Sequence, residues 1–260
     1  MRAVPASAVA GAPLATSTMT ADGVRLSLSI RVPPAPPQAA VVIAHGFTGS
    51  SADPAVIAVA ENLLGAGFAV VTYDARGHGL SDGLCTLGIR ERFDVAAVTD
   101  VARLLHERVV VVGASMGAIA ALGHAASDAG LAGVVTVSSP ARWQFPRTAR
   151  AVLAAVMTQT PPGRRFMASR GIRLADRWTR PRPEEPVALA ARLQVPLAVV
   201  HGQADRFLPM TAATDLLRAA RAPSRLVLVP AMGHAFEPSG FPAIAEAVTW
   251  VLAQAPPGAD

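Results

Sequence analysis

Ser115 stands at the centre of Gly113-Ala114-Ser115-Met116-Gly117, after four consecutive valines at 109–112 and before an alanine-rich stretch. A serine hydroxyl becomes a useful nucleophile only when a base takes its proton, so where the chain holds it matters as much as what it is. The apolar run reads as a buried strand and the alanine-rich stretch as a helix, which places Ser115 on a sharp strand-to-helix turn, a nucleophile elbow. Such a turn strains the serine backbone and forces the residues two positions away on either side into close approach. Gly113 and Gly117 meet that demand because they carry no side chain. The turn would lift the hydroxyl clear of the sheet edge and aim the first helical amides at an oxyanion forming above it.

The base and the acid that orients it must come from elsewhere in the chain. Residues 196–201 read as another buried strand, followed by a loop carrying Asp205. Residues 225–230 read as the last strand, and Ala231-Met232-Gly233-His234 places a histidine in the loop behind it. Asp74 is the rival acid. It too ends a strand, but it precedes the serine within Tyr73-Asp74-Ala75-Arg76-Gly77-His78-Gly79, so a structural role is preferred. Arg206 either lowers the pKa of Asp205 or is an exposed loop arginine. His106 and His124 fall on expected helices as surface or packing residues. His45, His78 and His201 lie at strand ends, where they are expected to hold loop backbone.

Together these motifs resemble the α/β-hydrolases, in particular the carboxylesterase, monoacylglycerol lipase and serine aminopeptidase-like branch. The resemblance runs from about Asp22 to the last helix. It rests on His45-Gly46-Phe47-Thr48-Gly49, the Tyr73 to Gly79 loop, Gly113 to Gly117, and the loops of Asp205 and His234. The order Ser115, Asp205, His234 is the one that fold requires. The resemblance implies that the backbone N–H groups of Phe47 and Met116 are the oxyanion donors. It also implies an α/β fold with a mostly parallel eight-stranded sheet flanked by helices and a small helical cap inserted after the sixth strand.

The elements that must position these residues follow from periodicity. Residues 23–32 read as opening hairpin strands, and Pro33, Pro34, Pro36 and Pro37 separate them from a strand at 39–45. A helix near 53–65 carries Ile57, Ala60 and Leu64 on one face and is closed by Gly65 and Gly67. A strand at 68–74 follows, then a helix near 91–107 with Val95, Val98, Val101, Ala102 and Leu105 as its stripe. Alternating strand and helix imply a parallel sheet with right-handed crossovers. Between the strands at 133–138 and 196–201 the alternation stops for longer than a simple loop allows. Apolar helical stretches around 148–158 and 165–178 lie there, punctuated by Pro161-Pro162-Gly163 and by Pro181, Pro183 and Pro186. Residues 139–190 are therefore read as the cap, with Phe166, Met167 and Trp178 as its apolar contacts. Residues 19–138 and 191–260 are read as the core, and 1–18 as a disordered extension, with Met19 a candidate functional start.

Composition excludes several classes. A chain of 260 residues, 52% of them hydrophobic, fills one two-sided sheet and leaves no room for a second catalytic domain. The 23 basic residues are all arginine; without lysine no phosphate-binding loop of the Gly-Lys-Ser/Thr type exists. No histidine pair has helical ligand spacing, and Cys85 is the single cysteine, so neither a metal nor a cofactor is expected. One cysteine, no membrane-spanning stretch and no leucine-rich leader point to the cytoplasm. From Arg142 to Arg182 there are ten arginines and one acid, Asp176, whereas the rest of the chain is net negative. That pattern suggests an anionic lipid surface, a phosphate-bearing thioester or a carboxylate-bearing ester, with a solvated face that serves solubility alone as the open alternative. Nucleic acid is not expected, since the segment is short, proline-broken and poor in interleaved aromatics.

The chemistry expected is serine acyl transfer to water on a carboxylic ester. A thioester, an amide or another acyl acceptor on the same residues is the near alternative. A silent binding protein of the same fold would need a broken position, and none is visible. Halide displacement and epoxide opening in this fold usually employ an aspartate, which Ser115 argues against.

Overall fold

The computed structural model describes residues 13–143, 148–176 and 183–255. Eight strands among them form one sheet: Leu14–Met19 (β1), Arg25–Arg31 (β2), Ala40–Ala44 (β3), Ala69–Tyr73 (β4), Val109–Ala114 (β5), Gly133–Val137 (β6), Leu197–Gly202 (β7) and Ser224–Val229 (β8). Their spatial order is β1-β2-β4-β3-β5-β6-β7-β8. β2 runs antiparallel to both β1 and β4, and all other pairings are parallel. The helices are Pro54–Gly65 (α1), Glu91–Arg103 (α2), Met116–Ala125 (α3), Ala149–Gln159 (α4), Pro161–Ser169 (α5), Pro186–Ala190 (α6), Met210–Ala219 (α7) and Phe241–Gln254 (α8). No described helix is long and apolar enough to cross a membrane.

The central strands are nearly continuous apolar runs because both of their faces are covered. β3, β5, β6 and β7 are buried along their whole length and are rich in valine, whose branched Cβ suits a packed pleat. Successive side chains point to opposite faces. Val42, Val109 and Val111 thus pack with Val95, Val98 and Leu122 of α2 and α3, whereas Val41, Ile43 and Val110 pack with Leu63 of α1 and Val248 of α8.

Two expectations are corrected. The segment read as a disordered extension contributes a strand: β1 pairs with β2 from Leu14↔Ile30 to Met19↔Arg25, so the hairpin begins well before residue 23. Leu-Ala-Thr-Ser-Thr-Met is an edge strand, mostly exposed, and edge strands need no apolar alternation. Residues 1–12 lie outside the described residues. In the cap, the helix expected at 165–178 is α5, which starts at Pro161. The prolines occupy its first turn, where no N–H partner is needed, and the Thr160 hydroxyl caps it by accepting from Gly163 N–H at 3.2 Å. Gly171, with φ 79°, lies just beyond its end, and Leu174 then bridges to Cys85. Trp178 lies outside the described residues.

Candidate active site

The elbow is built by contact. Ser115 has φ 51° and ψ −109°, and its N–H donates to the Val137 carbonyl of β6 at 2.9 Å. A Cβ on Gly113 would run into the Gly117 carbonyl, and one on Gly117 into the Ala44 carbonyl of β3. The chain can turn from β5 into α3 this sharply only if both positions are glycine.

Asp205 lies in the loop after β7. Its Oδ1 accepts from the N–H groups of Phe207 at 2.7 Å and Leu208 at 3.0 Å, and its Oδ2 faces Nδ1 of His234 at 2.8 Å. Nε2 of His234 lies 3.1 Å from Ser115 Oγ. A carboxylate accepts only, so Nδ1 carries the proton and Nε2 is left to accept from the serine hydroxyl. Burial opposes the charge on Asp205, but the hydrogen bond and charge of His234, with the two amides, hold its carboxyl below the usual range. Sequence reasoning brings these three residues to one place; it missed two that fix the geometry. Phe207 stacks on the His234 ring at 4.8 Å, and Glu237 accepts from Gly233 N–H at 2.7 Å, closing the loop that carries the histidine. Neither shows a periodic signal, although Phe207 lies two residues after Asp205 and Glu237 three after His234. Arg206 is exposed.

The loop after β3 brings Phe47 beside the serine. His45 Nδ1 donates to the Gly46 carbonyl at 2.8 Å, and its Nε2 accepts from Ala75 N–H at 2.9 Å. The His78 ring meets Phe47 edge-on at 6.0 Å. Burial pushes both histidines down, His78 to about 4, so they are neutral braces for the loop. Met116 is the first residue of α3, so its N–H has no acceptor within the helix. Asp74 is engaged elsewhere: its carboxylate accepts from the N–H groups of Ser51 at 2.7 Å and Leu80 at 2.8 Å.

Above Ser115 lies a cavity of about 360 Å³. Phe47, Thr48, Phe207 and His234 line its floor, and Arg150, Leu153, Ala154 and Met157 of α4, with Met167 of α5, form its roof. Phe166, expected beside Met167, is exposed under Arg170. Several cap arginines serve the structure. Arg164 donates to the carbonyls of Thr158, Leu174 and Ala175, Arg173 to those of Ser81 and Gly83, and Arg142 pairs with Glu185 and Asp215.

With this geometry in place, the similarity to known proteins is informative. No curated protein matches the chain in sequence. The esterase Pf2001 of Pyrococcus furiosus superposes with a TM-score of 0.72 at 20% identity, covering 94% of this chain and 93% of its own. Est1E from Butyrivibrio proteoclasticus, with ferulic acid bound, gives 0.65 at 22% identity over 92% of this chain and 99% of its own. A thermophilic esterase from Thermogutta terrifontis, with malate bound, gives 0.63 at 21% identity over 94% and 98%. At such identities the likeness is one of fold. The family described as serine aminopeptidase, S33, matches residues 35–182, more than half of the chain and all of the elbow, and the chain therefore belongs to that family of α/β-hydrolases.

Proposed function

We propose that the protein hydrolyses carboxylic esters through an acyl-enzyme on Ser115. His234 Nε2 takes the hydroxyl proton as Oγ attacks the ester carbonyl, and Asp205 holds the ring in that tautomer and stabilises the imidazolium. The amides of Phe47 and Met116 hold the oxyanion, the histidine returns its proton to the leaving alcohol, and water activated by the same histidine releases the acid. The observation that carries the reading is the unbroken hydrogen-bonded line from Asp205 through His234 to Ser115, ending at the floor of the cavity.

An ester is favoured over a peptide amine end by the charge of the cavity. An aminopeptidase has to receive a cationic amine, whereas no carboxylate is among the residues lining this cavity and its roof carries Arg150. The ferulic acid and malate carried by two of the similar structures are carboxylic acids, the product class of ester hydrolysis. The single, buried Cys85 fits a reducing compartment such as the cytoplasm.

The test is fluorophosphonate labelling with turnover of p-nitrophenyl esters and aminoacyl p-nitroanilides. Ser115→Ala should abolish labelling and lower ester kcat/KM by at least about 10⁴-fold, with His234→Ala nearly as damaging and the double variant scarcely worse, because the residues act as a unit. Near wild-type turnover of p-nitrophenyl butyrate by Ser115→Ala would overturn the assignment. Faster cleavage of the anilides than of the esters would replace ester by amide.

A further inference from the structure

We infer that Arg150 is a specificity residue that gives the cavity over Ser115 a preference for esters bearing a carboxylate at the end remote from the reacting carbonyl. The inference rests on the ester-hydrolase reading of the same site. Arg150, Leu153, Ala154 and Met157 recur at the spacing of one helical face, and all four line the cavity, so the arginine belongs to the wall that faces substrate. Leu153, Ala154, Met157 and Met167 make that roof apolar. Helical side chains lean towards the N-terminus, which puts the Arg150 guanidinium at one end of the roof, beyond the apolar stretch that would cover a hydrocarbon chain.

What sets Arg150 apart from the other described cap arginines is that it lines the cavity with its charge unpaired. Arg142 pairs with two carboxylates, and Arg164 and Arg173 are spent on backbone carbonyls. Arg150 makes no hydrogen bond or ion pair among the described residues, and none of the other lining residues is acidic. The cap residues at 144–147 and 177–182 include no aspartate or glutamate, so no carboxylate from those stretches balances it. A single guanidinium presents a planar fork that a carboxylate fills with two parallel hydrogen bonds, whereas a phosphate dianion would leave one charge unmatched. Arg150 is exposed, so such a pair would form at the open end of the cavity and be screened in part by solvent.

The experiment compares kcat/KM for the mono-p-nitrophenyl esters of succinate, adipate and suberate with those of p-nitrophenyl butyrate, hexanoate and octanoate. Arg150→Gln should lower the anionic-to-neutral ratio by about tenfold at the best chain length, and Arg150→Glu should lower it further. Arg165→Gln, which removes a charge that is also exposed but lies on α5 outside the cavity lining, should leave the ratio within about twofold of wild type. A ratio unchanged in Arg150→Gln, or lowered equally by Arg165→Gln, would overturn the proposal and leave only the overall charge of the cap. A second readout separates this inference from the esterase reading. In the Ser115→Ala background, calorimetric binding of monomethyl adipate should weaken about tenfold when Arg150 becomes Gln, while methyl hexanoate binding should not follow it. If the wild type cleaves none of the esters, the esterase reading fails and this binding comparison still decides; equal or absent binding of monomethyl adipate in both proteins rejects the role of Arg150.

Discussion

Asp205 and Asp74 are both buried carboxylates at strand ends, and the donors each accepts separate their roles. Asp205 spends one oxygen on two loop amides and the other on His234; Asp74 spends both on the amides of Ser51 and Leu80. Asp205→Asn would present an amide N–H to His234 Nδ1 and favour the tautomer with the proton on Nε2, which cannot accept from Ser115. We expect kcat to fall about 10⁴-fold with the fold intact. Asp74→Asn should cost about 1–3 kcal/mol, because its amide nitrogen must face one of two backbone donors, with a far smaller effect on kcat. Parallel measurement of kcat and urea midpoint decides, and a larger kcat loss in Asp74→Asn would exchange the two roles. Residues of this kind were legible in the sequence because each sits in a short context of its own, a Gly-x-Ser-x-Gly turn or a loop after an apolar run. Phe207 and Glu237 were not, since a ring stacked across a loop and a carboxylate closing it have no repeat to detect.

The strands that carry the site were legible for a related reason. A parallel strand covered on both faces reads as a nearly continuous apolar run, and β3, β5, β6 and β7 do, each with at least two consecutive valines. β1 escaped because an exposed antiparallel edge carries no such pattern, and the start of α5 was placed too late because prolines usually read as breaks although the first turn of a helix tolerates them. The packing of the elbow against β3 gives a prediction at this scale. Gly117→Ala would drive a methyl group into the Ala44 carbonyl, and β3, buried in mid-sheet, cannot withdraw. We expect a loss of about 1–3 kcal/mol, together with slowed fluorophosphonate labelling of the protein that remains folded. Gly65→Ala is the control: nothing lies within 4 Å of its would-be Cβ at the end of α1, so it should be neutral or slightly stabilising. Equal stability and labelling in Gly117→Ala and wild type would refute the steric account of the elbow.

Across the whole molecule, arginine does internal work that composition alone hides. Arg31 is buried against Glu61, Arg108 reaches the Leu252 carbonyl of α8, and Arg164 and Arg173 hold the cap backbone. A planar guanidinium with five donors suits such sites better than an ammonium would. The most connected is Arg76, which bonds Asp94 of α2 through Nε at 2.8 Å and Asp22, in the β1–β2 turn, at 2.7 and 2.9 Å. This cluster ties the hairpin that the sequence reading misplaced to the loop after β4 and to α2. The hydrogen bond from Arg76 holds the Asp22 carboxyl well below its ordinary value near 3.8 against the cost of burial, helped by the Thr20 hydroxyl and the charges of Arg76 and Arg90. Because the folded pKa is lowered, the native state binds fewer protons than the unfolded chain in acid. The stabilisation is complete above the unfolded value and is lost as pH falls through and below it. Asp22→Asn should therefore destabilise the protein by about 1–3 kcal/mol at pH 7, a gap that holds down to about pH 5 and narrows steadily below pH 4. Urea unfolding of both proteins across that range measures it, and a gap that stayed constant to pH 3 or widened on acidification would show that Asp22 supports the hairpin by shape and not by charge.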